Sequence, residues 1–169
     1  MSREALLQEL GSDQRSRLRA ACDAATEVLR EDPEFRHGLI DLLSRGEPRA
    51  RFAAAFVLFH HERPTLRLLP PLLDALELDD GALRWSAARL LAALGRLHGE
   101  VLPVLLEAAA KSPSPTRRRM ALYVLRELAP EAPQTHAVFL GALGDPDSSV
   151  QLAALASLRD DSGTTVLLT

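Results

Sequence analysis

Apolar residues recur along the chain in blocks whose members lie one, three and four positions apart, and the blocks themselves return at a constant interval of roughly 33 residues, the length of a helical repeat unit. Three columns mark the opening block of each unit. They are Leu6, Leu39, Leu72, Leu105 and Phe139; Leu7, Ile40, Leu73, Leu106 and Leu140; and Leu10, Leu43, Leu76, Ala109 and Leu143. All three keep the same spacing, with one added position in the last step. Positions i, i+1 and i+4 share one face of an α-helix, so each unit opens with a helix, here helix A, that buries this face. An independent pattern follows each block: an acid, then an apolar residue, Arg and a small residue, in the form acid-x-x-apolar-Arg-x-x-small. The clearest copy is Asp80, Leu83, Arg84 and Ala87. Further copies are Glu47, Ala50, Arg51 and Ala54; Ser114, Arg117, Arg118 and Ala121; and Asp147, Val150, Gln151 and Ala154. The earliest is degenerate, with Arg15 in the acid's place before Leu18, Arg19 and Cys22. Eight positions past the apolar one stands a further column, Thr26, Leu58, Leu91, Leu125 and Leu158, which fixes a second helix, helix B.

The expected architecture is therefore all-α, a row of five helix-turn-helix units with a period of roughly 32–34 residues. Helix A is predicted near 3–10, 34–44, 66–77, 100–111 and 134–143, and helix B near 14–30, 48–61, 81–97, 115–128 and 147–159. The units span about 3–31, 34–62, 65–98, 99–130 and 133–160 of a single domain, 1–169, and 161–169 is either a cap or a truncated sixth unit, with the cap preferred. Connectors such as Gly46-Glu47-Pro48, Ser112-Pro113-Ser114-Pro115 and Gly144-Asp145-Pro146 punctuate the units. In the last, Asp145 is expected to cap helix B and Pro146 to open it. Pro70 and Pro103 occupy equivalent places in helix A and predict a repeated kink or a late helix start.

Composition sharpens this picture. Leu (34) and Ala (26) dominate while Val and Ile together number nine, which favours helix and leaves little for a sheet. The longest apolar run, Phe52 to Phe59, has eight residues, far short of the roughly 18 of a membrane span. Charged residues in MSREALLQEL argue against a signal peptide, and the single Cys22 fits a reducing, cytoplasmic setting with no internal disulfide. A net charge of −3 disfavours a generally basic nucleic-acid binder but not a local basic face.

The apolar-Arg-x-x-Ala-x-x-x-Leu signature of helix B resembles HEAT repeats, particularly the short HEAT-like repeats of the bilin-lyase type. That resemblance covers about residues 3–160 and implies a right-handed solenoid with the A helices convex and the B helices concave. It also implies that the Arg column, Arg19, Arg51, Arg84 and Arg118, ties neighbouring units together through their turns. Read from the residues alone, Glu47–Arg51 and Asp80–Arg84 are i,i+4 pairs that support helix B.

Taking helix B at about 100° per residue, the side opposite its buried face holds Phe52, Phe56, Phe59 and Arg63 in unit two. Unit three places Trp85, Arg89 and Arg96 there, unit four Arg119, Tyr123 and Arg126, and unit five Arg159. Five of the seven aromatics thus lie on the face turned from the core. An aromatic and Arg-rich strip of this kind suits an acidic peptide or partner domain with apolar anchors. Strong curvature would instead bury the rings between neighbouring B helices, and the open strip is the preferred reading. The expected function is a non-enzymatic protein-interaction scaffold. The alternative is a nucleic-acid binder using the same strip, as in the similar HEAT-like alkylpurine DNA glycosylases. Self-association through this surface or the C-terminal end, with Val166, Leu167 and Leu168, is a further outcome.

No metal, cofactor or catalytic set is expected. His60, His61 and Glu62 form the one His-Glu cluster, at the wrong end of a helix for the iron site of the HEAT-like deoxyhypusine hydroxylases. His37 and His136 read as capping or exposed, and Cys22, in the small-residue column, as a buried structural thiol.

Overall fold

The computed structural model describes residues 1–165, with side chains as far as Arg159, and every regular element among them is helical. A and B helices alternate as α1 (Arg3–Glu9) and α2 (Arg15–Glu31), then α3 (Phe35–Arg45) and α4 (Pro48–His61). Next come α5 (Leu69–Asp74) and α6 (Gly81–Leu97), α7 (Val101–Lys111) and α8 (Pro115–Leu128), and α9 (Pro133–Ala142) and α10 (Ser148–Thr165). This is the α-solenoid that the two sets of columns predict. The third A helix departs from it, because 3-10 turns at Leu66–Leu68 and Ala75–Glu77 flank a short α5. Pro70 and Pro103 fall in the first turns of α5 and α7, where backbone N–H groups have no helical acceptor, so they mark late starts rather than kinks. Helix α10 runs to Thr165, past its expected end, and the segment expected as a cap or sixth unit lies outside the described residues from Val166 on.

The units are held by a core between two layers. B helices pack in series, α2 on α4, α4 on α6, α6 on α8 and α8 on α10, while α1 packs on α3 and α7 on α9 in the other layer. Leu39, Leu72, Leu105 and Phe139 from the A columns meet Ala54, Ala87, Leu58, Leu91 and Leu125 from the B columns, all fully buried or nearly so. Small residues at the Ala column let the two layers approach without a void, the packing that makes each position sensitive to volume. Helix entries are capped by side chains: Asp80 accepts from the N–H groups of Ala82 and Leu83, and Ser114 from that of Arg117. At the last entry Asp147, not Asp145, accepts from Ser149 and Val150, and Pro146 stays outside the helix. The expected roles of Asp145 and Pro146 are therefore corrected; Asp145 is committed elsewhere, to Arg118.

The sense of the curvature shows at the B-helix N-termini. Arg15 of unit one reaches Asp80 of unit three with two hydrogen bonds of 3.2 and 3.1 Å, over the top of unit two. Arg49 of that intervening unit lies 3.8 Å from the same carboxylate. A side-chain bridge that skips a unit is only short enough if the B layer is the inner side of the curve. Burial pushes the Asp80 carboxyl up, but the N–H groups of Leu83 and Ala82 and the Arg15 guanidinium outweigh it and hold the group below the usual range.

Candidate functional site

The Arg column lies at the N-terminal ends of the B helices. Arg51 donates to the Leu43 carbonyl at 2.9 Å and to Asp74 of the next unit at 2.7 Å. Arg117 reaches the same Asp74 at 2.9 Å, so one carboxylate joins units two, three and four. Arg84 donates to the Leu78 carbonyl. Arg118 donates to the Ser112 carbonyl at 2.7 Å and, through its fork, to both oxygens of Asp145 at 2.8 and 2.9 Å. Arg51 and Arg118 thus tie neighbouring units together, as the resemblance implies, whereas Arg84 ties helix B only to the turn of its own unit. The i,i+4 pairings do not form: Asp80 is taken by its cap and by Arg15, and Arg51 turns to Asp74 instead of Glu47. Arg19 is the exception in the column; it is exposed and has no ion-pair partner among the described residues.

The predicted strip is present in part. Trp85 is 50% exposed and lies against Tyr123 with ring centroids 5.1 Å apart at 31°. The Arg126 guanidinium stands 5.5 Å from the Tyr123 centroid, within cation–π reach. Indole, phenol and guanidinium from α6 and α8 thus form one cluster on the outward side of the B helices. Arg119 is half-buried, and Arg89 and Arg159 are exposed. Arg63 is exposed too, but α4 ends at His61 and the chain is extended at Glu62, so Arg63 does not share the face of helix B expected for it. Phe52 overturns the expectation of an exposed ring, for it is only 3% exposed. The cause is that α2 and α6 pack on either side of α4 and Phe52 joins the buried apolar cluster. Phe56 and Phe59 are half-buried, with Phe56 6.1 Å from Phe52 and 4.5 Å from the His60 ring.

Between α2, α4 and α6 the curvature leaves a cleft of about 470 Å³. Leu18, Phe52, Phe56 and Leu83 give it apolar walls, with Arg19 and Arg89 at its exposed edge. Helix α2 contributes half of this lining, although the outward strip predicted from the sequence includes no residue of it. The signal available in the sequence is the degeneracy of the first motif copy, where Arg15 replaces the acid. Cys22 also lines the cleft but is buried, and burial, with Asp23 adding to it, pushes its thiol up to about 12. The group is therefore a neutral packing element and not a nucleophile. In the unfolded chain the thiol ionises near pH ~8.5, so its contribution to stability is whole below that pH and declines as pH rises toward about 12. At pH 8, iodoacetamide is expected to modify Cys22 at least ~100-fold faster in denaturing urea than in the native protein. Equal rates would contradict its burial.

The histidine cluster is dispersed by its partners. His60 Nδ1 lies 2.9 Å from the Phe56 carbonyl, while Glu62 accepts two hydrogen bonds from Arg36 at 2.8 and 2.9 Å, which hold its carboxyl below the usual range. His98 Nε2 lies 2.9 Å from the Pro64 carbonyl, and His37 and His136 are exposed. Among the described residues no three His, Cys, Asp or Glu side chains gather as a metal site, and no helix is long and apolar enough to cross a membrane.

Comparison with known proteins agrees with this architecture. No curated protein matches the chain. The family model for HEAT repeats matches residues 36–126, just over half of the chain, from the start of α3 to near the end of α8. HEAT repeats are generally protein-interaction scaffolds. Repeat columns, paired helical layers, turn-tying arginines and this match together place the chain in the HEAT-repeat family.

Proposed function

We propose that this protein is a non-enzymatic interaction scaffold, working in the cytoplasm, which binds a peptide or partner domain along its concave B-helix face. The observation that carries this reading is the half-exposed Trp85 stacked on Tyr123 beside Arg126. A water-exposed indole gives up solvation free energy that a docking partner recovers, and Trp, Tyr and Arg are the residue types that most often dominate interface energetics. The exposed Arg89 and Arg159, both borne by B helices, favour a partner with acidic residues. Nucleic acid is the weaker candidate, since Arg96 is already paired with Glu127 at 3.0 Å and the chain is net acidic. Salt separates the two. A protein partner anchored by rings is expected to stay bound as salt rises, whereas phosphate binding falls steeply. Tight binding of duplex or single-stranded DNA at low salt, lost at moderate salt, would overturn the protein-scaffold reading.

A second reading, self-association, has its own observation. Leu143 is 40% exposed, whereas Leu10, Leu43, Leu76 and Ala109 of the same column are buried. Leu155 is exposed likewise, while its equivalents Ala55, Ala88 and Leu122 are buried. Leu140 and Leu152 of the same unit are exposed as well, so the fifth unit is the most apolar part of the described surface. A twofold pairing of fifth units would cover these apolar side chains with their own copies. Light scattering is expected to show a concentration-dependent dimer that Leu143→Glu with Leu155→Glu abolishes. A monomer at every concentration would contradict this pairing.

A further inference from the structure

The cleft between α2, α4 and α6 combines an apolar interior with uncommitted positive charge. Its walls, Leu18, Phe52 and Leu83, are buried and Phe56 is half-buried. Its volume, about 470 Å³, suits one bulky side chain with part of its backbone. Most arginines near it are already engaged: Arg15 by Asp80, Arg51 by Asp74 and Arg17 by Glu9. Arg19 and Arg89 are not, and neither has an ion-pair partner among the described residues. They come from helices on opposite sides of α4 and line the same cavity. The lining holds one carboxylate, Asp23, so with Arg15 neutralised by Asp80 two guanidiniums face a single acid.

We propose that this cleft seats a bulky apolar side chain of an acidic peptide, with carboxylates flanking that anchor held by Arg19 and Arg89. The proposal rests on the scaffold reading and refines it, by adding a subsite in units one to three to the ring cluster on α6 and α8. Nucleic acid fits less well here, because the rings form the floor and walls instead of an open platform on which bases stack.

The test is a display library of random peptides, about a dozen residues long, panned on the immobilised full chain. Enriched peptides are then titrated by fluorescence anisotropy against the wild type, the Arg19→Glu/Arg89→Glu variant and Trp85→Ala. Both arginines are exposed and without ion pairs, so the charge-reversed variant is expected to keep the wild-type helical circular dichroism and melting curve. The expected consensus is Leu, Phe or Met with Asp or Glu within three positions, and an affinity at least ~10-fold weaker in the charge-reversed variant. A consensus that is basic or neutral overturns the proposal. So does an acidic peptide that binds the charge-reversed variant as well as the wild type. Peptides lost on Trp85→Ala alone leave the scaffold reading standing and sink the cleft; a library that yields no binder counts against both. An oligothymidine that displaces the peptide, with an affinity dependent on Arg19 and Arg89, would assign the cleft to nucleic acid and likewise overturn the proposal.

Discussion

Asp145→Ala is expected to lower the unfolding free energy by about 3–5 kcal/mol, the range for breaking a buried ion pair from one side. The side chains of Arg118 and Asp145 are 11% and 9% exposed and meet through two short bonds. Removing the carboxylate strands a guanidinium whose remaining bond, to the Ser112 carbonyl, does not satisfy it. It also takes the acceptor from the Asp147 N–H and frees the entry to α10. In a stack where each unit contacts only its neighbours, the loss falls on the junction of units four and five. Arg118→Met combined with Asp145→Leu is expected to cost less than either half alone, because no buried charge is left without its partner. Arg118 holds the Asp145 carboxyl below its ordinary range. A depressed folded pKa gives stability that is complete above the unfolded value of about 4 and is lost as pH falls below it. Urea unfolding of the single and double variants at pH 7 and pH 3 checks both statements. A loss under ~1 kcal/mol at pH 7, or a pH 3 difference as large as that at pH 7, would contradict them.

Trp85→Ala is expected to weaken partner binding by at least ~30-fold, about 2 kcal/mol, while leaving the fold nearly unchanged. Half of the indole already faces water, so truncation removes little buried area from the free protein. Tyr123→Ala is expected to affect both quantities, because its ring is half-buried and supports the indole. Phe52→Ala behaves in the opposite way. It removes a ring that is 3% exposed, and its main effect is a stability loss of about 3–5 kcal/mol. Isothermal titration alongside thermal unfolding separates the two kinds of loss. Equal affinities for the wild type and Trp85→Ala would remove the ring cluster from the interface.

Phe52 and Trp85 also show where the sequence stops informing. They lie one repeat apart at the same phase of helix B, yet one is buried and the other half exposed. Periodicity gives the direction of a side chain but not the distance to the helices on either side. For Phe52 that distance follows from the packing of α2 and α6 against α4, with a bridge between Arg15 and Asp80, 65 residues apart, that no local pattern encodes. Helices α4, α6 and α8 begin and end where their columns and capping residues place them, since those signals are local. The turn-tying role of the Arg column is likewise legible, whereas the choice of Asp74 and Asp145 as partners depends on how the units stack. The cleft is invisible for the same reason. Arg15 stands out as a departure from the motif while Arg19 is a regular member of the Arg column, and only the fold brings α2 and α6 to the two sides of α4.

Partner docking on the concave face is tested most directly by site-specific photo-crosslinking. A benzoylphenylalanine placed at position 123, on the B layer beside Trp85, is compared with one at the exposed position 107 on the A layer, in cells expressing the full chain. Discrete protein adducts from position 123, and none from position 107, are the expected result. Adducts from position 107 alone, or equal patterns from both, would contradict docking on the B-helix face.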